Sequence, residues 1–301
     1  MSDLFVGVTD KVWFENLSQL QPDEVNFWRP GGTSFRALKP GGLFFFKLHA
    51  PFNALAGFGV FVRYSVLPLR LAWEAFGEKN GVRSLNEFQQ RISRYRRDNA
   101  ANPMIGCIIL AQPVFYPEAG WIAQPKSWAN SIVQGKGYDS STGDGTYIYR
   151  FAQEQLQTLG LETAAAFPPT FTERIQRVRL GQGAFRVMVT DAYQRRCAIS
   201  GERTLPVLEA AHIKPVSKQG PHDLQNGLLL RSDLHILLDE GYMTVTDDYH
   251  IEVSRRIKEE YENGRDYYRY HGKSLAILPT RNEEKPMKDF LQWHNENVYC
   301  G

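Results

Sequence analysis

The feature that most narrows what this 301-residue chain can build is an ordered block between residues 184 and 241. Residues 184–196 carry Phe185, Val189 and Tyr193 at intervals of four, the spacing of a single helix face. They lead into Cys197-Ala-Ile-Ser-Gly201, then Leu208-Glu-Ala-Ala-His-Ile-Lys-Pro215, then Asn226-Gly-Leu-Leu-Leu-Arg-Ser-Asp-Leu-His235, and finally Ile236-Leu-Leu-Asp239-Glu-Gly241. A lone His-Ile pair would carry almost no information. An Asn followed nine residues later by a His, and that His by an Asp four residues on, is far more specific. On a helix, positions i and i+4 share a face, so the imidazole of His235 and the carboxylate of Asp239 can converge on one cation.

The length and a 43% hydrophobic content leave room for two cores. Cys107, Cys197 and Cys300 lie far apart with no Cys-x-x-Cys pair, which removes a disulfide framework and a four-thiolate zinc site. No stretch approaches the ~20 apolar residues needed to span a bilayer, and the start lacks a basic and apolar leader, so a cytoplasmic protein without a membrane role is expected. The net charge of +2 gives little overall steering towards a polyanion. Basic residues are concentrated locally: seven Arg (174, 177, 179, 186, 195, 196, 203) against three acids in 172–203, and five Arg against Glu87 in 83–97.

The first 150 residues alternate short aromatic or β-branched runs (4–8, 43–48, 59–64, 105–111, 114–116) with Pro30-Gly31-Gly32, Pro40-Gly41-Gly42 and Pro117, which predicts strands of a small sheet or barrel. Helices are expected over 69–76, over 85–95 (Leu85, Phe88, Ile92, Tyr95) and over 147–159. An Ala triplet and Pro168-Pro169 interrupt regular structure. They place a linker at 161–171, between a domain of residues 1–160 and one of residues 172–301.

The ordered block resembles the HNH endonucleases, in the branch that reads as a Leu-Glu-Ala-Ala-His-Ile strand and an Asn-Gly-Leu-Leu-Leu strand without paired Cys knuckles. The resemblance covers some 70 residues and implies a ββα-metal nuclease domain, held together without structural zinc. It assigns His212 as the general base, Asn226 as the residue that steadies the ribbon, and His235 as the helix-borne metal ligand, joined by Asp239. Many relatives carry a ligand immediately before the base, where this chain has Ala211. Glu209, expected on the same strand face as His212, is the candidate replacement. Mg²⁺, Mn²⁺, Ni²⁺ and Zn²⁺ all suit such donors. Arg195, Arg196, Lys214 and Arg231 are the expected nucleic-acid contacts.

The N-terminal region resembles, by architecture alone, the PUA superfamily with its EVE, ASCH and SRA readers. The whole is therefore expected to be an α+β chain: a mostly-β, PUA-like barrel followed by the HNH domain. Fusion of such a reader to an HNH module resembles the modification-dependent restriction endonucleases. It implies a phage-defence enzyme, acting as a possible homodimer on double-stranded DNA with modified cytosine. A pocket of Trp28, His49, Phe52 and Asn53 would supply aromatic faces and polar edges for an extruded base. The competing readings are a general or mobile-element nuclease whose first domain only grips the backbone, and a nucleic-acid-binding protein with a decayed site.

Overall fold

Phe44-Phe45-Phe46 lies inside a strand whose six residues are all buried, β3 (Leu43–Leu48). Side chains alternate across a strand, so Phe44 and Phe46 enter one core while Leu43 and Phe45 enter another. A strand apolar on both faces needs cover on both sides, and the fold supplies it. The computed structural model describes residues 3–98, 100–158 and 180–301. It divides into two compact units, Met1–Ala184 and Phe185–Gly301.

In the first unit β3 pairs in parallel with β1 (Leu4–Thr9) and antiparallel with β4 (Ala54–Pro68). β4 pairs with β5 (Met104–Phe115), which pairs with β2 (Glu24–Arg29), while β7 (Gly135–Tyr138) lies outside β1 and the two-residue β6 (Ile122–Ala123) adds to β4. The sheet order is β2-β5-β4-β3-β1-β7. One face is covered by α1 (Lys11–Leu20), started by Asp10, whose Oδ1 accepts the Trp13 backbone N–H at 2.8 Å, and anchored by Trp13, Phe14 and Leu17. The other face receives Ile148 and Ala152 of α4 (Gly143–Thr158). Between β4 and β5 stand α2 (Leu69–Phe76) and α3 (Leu85–Ser93).

Two expectations need correction. The sheet is open and no barrel closes: among the described residues β2 and β7 pair on one side only. Closure requires edge strands that can meet along a staggered register. β7 offers four residues, two of them glycine, and all four are used against β1. The helix expected to reach Tyr95 ends at Ser93, and a turn closed by Tyr95 N–H to Ile92 O leaves the Tyr95 ring 68% exposed. The expected linker, Leu159 and the arginines at 174, 177 and 179 lie outside the described residues.

The second unit begins within α5 (Gln182–Ala192), whose Phe185 and Val189 are buried together with Tyr193. β8 (Leu208–His212) and β9 (Gly227–Arg231) form an antiparallel ribbon with His212 opposite Gly227, and α6 (Ser232–Asp239) follows at once. The turn at Cys197 is stitched to this ribbon by hydrogen bonds: Ala198 N–H donates to Leu229 O at 2.7 Å, and the Cys197 sulfur accepts from Ser200 and Arg231 at 3.4 Å each. A hairpin of β10 (Met243–Val245) and β11 (Ile251–Val253) comes next, then two short helices, α7 (Arg256–Tyr261) and α8 (Arg265–Tyr268). The C-terminal α9 (Lys288–Asn297) adds Leu291 to the same core. Among the described residues no helix is long and apolar enough to cross a membrane.

Candidate active site

His212 ends β8, and two neighbours hold its ring. Phe185 of α5 stacks on one face, with centroids 4.0 Å apart and an interplanar angle of 12°. His222, in the loop between β8 and β9, brings its Nδ1 within 3.0 Å of His212 Nε2. Burial first, then the nearby imidazoles of His222 and His235, push the His212 pKa down to about 4. The ring is therefore neutral near pH 7, the state a general base requires.

The loop from 213 to 226 is held by Asn226, which is fully buried. Its Oδ1 accepts the Lys214 N–H at 2.8 Å, and its Nδ2 donates to Lys214 O at 3.0 Å and Pro221 O at 2.9 Å. One amide thus ties both ends of the loop, and the ribbon continues through Ile213 N–H to Asn226 O. The return is so close that a Cβ on Gly220 would lie 1.8 Å from Lys214 O, leaving room for glycine alone.

The second cluster surrounds His235 on α6. Its Nδ1 lies 2.7 Å from Glu209 Oε2, and its Nε2 lies 3.3 Å from Asp239 Oδ2. A neutral imidazole has one lone pair, so the two carboxylates cannot play the same part. With the shorter contact taking the Nδ1 hydrogen, Glu209 orients the ring and Nε2 faces Asp239. Imidazole and carboxylate together fit a divalent cation, with water completing its coordination. Among the described residues no three His, Cys, Asp or Glu side chains form a ready metal-holding group. Burial pushes the Asp239 carboxyl above its ordinary value.

The same-face expectation for Glu209 and His212 does not hold. The two residues are three apart, and strand alternation turns them to opposite faces. Ala211, fully buried in the core, contributes only packing. The expected nucleic-acid contacts are engaged to different degrees. Arg231 grips both oxygens of Asp233 at 2.6 and 2.7 Å, Lys214 lies 5.3 Å over the Trp293 ring, Arg195 is 3.7 Å from Asp191, and Arg196 reaches Gly201 O.

Four further histidines, His222, His250, His271 and His294, stand outside the sequence motif, and each has a partner in the structure. His294 is 2% exposed, bonded to Thr244 Oγ1 and Leu238 O. His250 pairs with Asp248, and His271 accepts from Val253 N–H. His222 joins His212. The only sequence signal for it was its place in the 13-residue loop between His212 and Asn226, which has to fold back on itself for the ribbon to pair.

In the first unit a cavity of about 720 Å³ is walled by Phe5, Trp13, Trp28 and Phe35, with Asp10, His49 and Gln134 at its polar edges. Trp28 and His49 both line it; Phe52 and Asn53 do not. Phe52 packs on Trp121 under Lys11, and Asn53 takes a hydrogen bond from Lys47.

Among solved structures, ASCH from Zymomonas mobilis is 8% identical at a TM-score of 0.34, covering 49% of this chain and 94% of that one. The modification-dependent TagI restriction endonuclease is 13% identical at a TM-score of 0.29, covering 92% and 75%. The type IV phosphorothioation-dependent restriction endonuclease ScoMcrA is 15% identical at a TM-score of 0.21, covering 77% and 48%. No curated protein matches. Residues 197–246 match the HNH endonuclease family HNH_2, the segment that carries His212, Asn226, His235 and Asp239. That segment is an HNH endonuclease domain, and the chain that contains it is a nuclease.

Proposed function

We propose that this nuclease is a modification-dependent DNA endonuclease of restriction type, in which the second unit cuts and the first selects the DNA. The observation that carries the selection is the cavity of about 720 Å³, within the ~300–1,000 Å³ typical of small-ligand sites. Its aromatic walls suit a stacked base, and its few polar groups suit reading of a base edge. A base that has to leave the duplex needs both. Val133 and Tyr95, 74% and 68% exposed, also line this cavity and give it an apolar rim.

In the second unit His212 takes a proton from water at the phosphodiester, held by Phe185 stacking and by the Asn226-tied loop. His235 and Asp239 would hold a divalent cation, with Glu209 orienting His235. When bound, the cation offsets charge on the phosphate and the leaving oxygen. A double-strand break then requires two copies acting on opposite strands, which favours a dimer on DNA.

The test is digestion of otherwise identical duplexes containing cytosine, 5-methylcytosine, 5-hydroxymethylcytosine or its glucosylated form, each with Mg²⁺, Mn²⁺, Ni²⁺ and Zn²⁺. Cutting restricted to one or more modified duplexes is the expected result. Equal cutting of all four would replace selection with a first unit that only grips the backbone.

A further inference from the structure

We propose that His222 is a positioning residue for the nuclease reaction: its Nδ1 accepts the Nε2–H of His212 and so fixes the base in the tautomer whose Nδ1 lone pair faces water. This inference rests on His212 being the base. Two imidazole nitrogens 3.0 Å apart can share only one hydrogen, so the contact couples the two tautomers. Phe185 covers a face of the His212 ring and resists its rotation, leaving the ring edges for chemistry. The Nε2 edge is occupied by His222, and among the described residues nothing bonds Nδ1. A base needs a lone pair that no neighbour occupies, which here is that of Nδ1, so Nε2 carries the hydrogen and His222 accepts it.

The Asn226 clamp places His222. Asn226 Nδ2 holds Pro221 O, the residue next to His222, while the same side chain holds Lys214 two residues beyond His212. Base and partner are thereby set against each other by one buried amide. When water gives up its proton, the O–H bond breaks and an N–H bond forms at His212 Nδ1. The resulting imidazolium keeps its Nε2–H donated to His222, so the new charge beside the buried rings stays hydrogen-bonded. His222 itself is half-buried.

The test compares His222→Ala and His222→Asn with wild type in the full-length protein, reading single-turnover cleavage, DNA affinity and melting temperature. His222→Ala is expected to slow cleavage roughly 10- to 100-fold, the usual effect of losing a residue that orients a reacting group, with affinity changed less than about twofold. His222→Asn, whose amide oxygen can accept the same hydrogen, is expected to recover most of the rate. A readout free of metal and substrate is the ¹⁵N spectrum of histidine-labelled protein: His212 should be protonated at Nε2 in the wild type and a mixture of tautomers in His222→Ala. A His222→Ala enzyme at wild-type rate, equal losses in both variants, or wild-type His212 protonated at Nδ1 would each overturn the proposal. Should His212→Ala itself still cut, the base assignment fails instead, which separates the two claims.

Discussion

At the scale of single residues, the site turns on how imidazoles are kept neutral and aimed. Because the His212 pKa in the folded protein, about 4, lies below the ordinary 6.5, the unfolded chain takes up this proton first as pH falls. The stability that goes with a neutral His212 is therefore full above pH 6.5 and declines towards pH 4. His212→Gln is expected to flatten the fall of melting temperature across that interval, and an unchanged slope would refute the depressed value. On α6 the expectation concerns metal. His235→Ala and Asp239→Ala should each lose cleavage together with calorimetric binding of Mn²⁺. An Asp239→Ala protein that binds metal and cuts normally would leave that carboxylate a helix-end role only. Sequence spacing made the His235–Asp239 pair legible, since i and i+4 are fixed neighbours on any helix. It could not place Glu209, whose contact with His235 crosses from strand to helix.

At the scale of elements, the ribbon and its following helix were readable because their order is local. β8, β9 and α6 occupy consecutive stretches, and the ribbon register sets His212 opposite Gly227. The intervening loop was not readable. Its path depends on three hydrogen bonds from one buried amide and on a glycine that no other residue can replace, and neither leaves a periodic trace in sequence. This is why His222 stands out by no motif in the sequence. Asn226→Ala removes all three bonds and leaves buried backbone groups unpaired. It should destabilise the second unit by roughly 2–4 kcal/mol in urea unfolding and lower the cleavage rate as well. Full stability in that variant would show that the loop is held by other contacts. In the first unit, β3 was legible from its run of apolar residues. α1 and β2 were not, because three core anchors, Trp13, Phe14 and Leu17, are few for a ten-residue helix, and β2 carries buried Glu24 and Asn26 within its run. The barrel expectation failed for a related reason: short runs reveal strands but not whether the outermost two can meet.

At the scale of the whole molecule, the proposal divides labour between a selecting unit and a cutting unit. The sequence feature behind it is the change from β-rich, Gly/Pro-punctuated sequence to the ordered nuclease block. The cavity was only half legible, since Trp28 and His49 line it while Phe52 and Asn53 lie elsewhere. In full-length His212→Ala protein at one fixed salt concentration, binding should favour duplexes with modified cytosine. Phosphate contacts supply the same salt-sensitive affinity to every sequence and cannot discriminate. His49→Ala should reduce that preference without altering cleavage of a duplex already saturated with enzyme. The nuclease assignment itself is tested most directly by single-turnover cleavage of one susceptible duplex by wild type and His212→Ala, with affinity measured alongside. The rate is expected to drop on the order of 10²- to 10⁴-fold while affinity stays within a few-fold, because a general base acts in the chemical step. Cleavage by His212→Ala at more than a few per cent of the wild-type rate would contradict it.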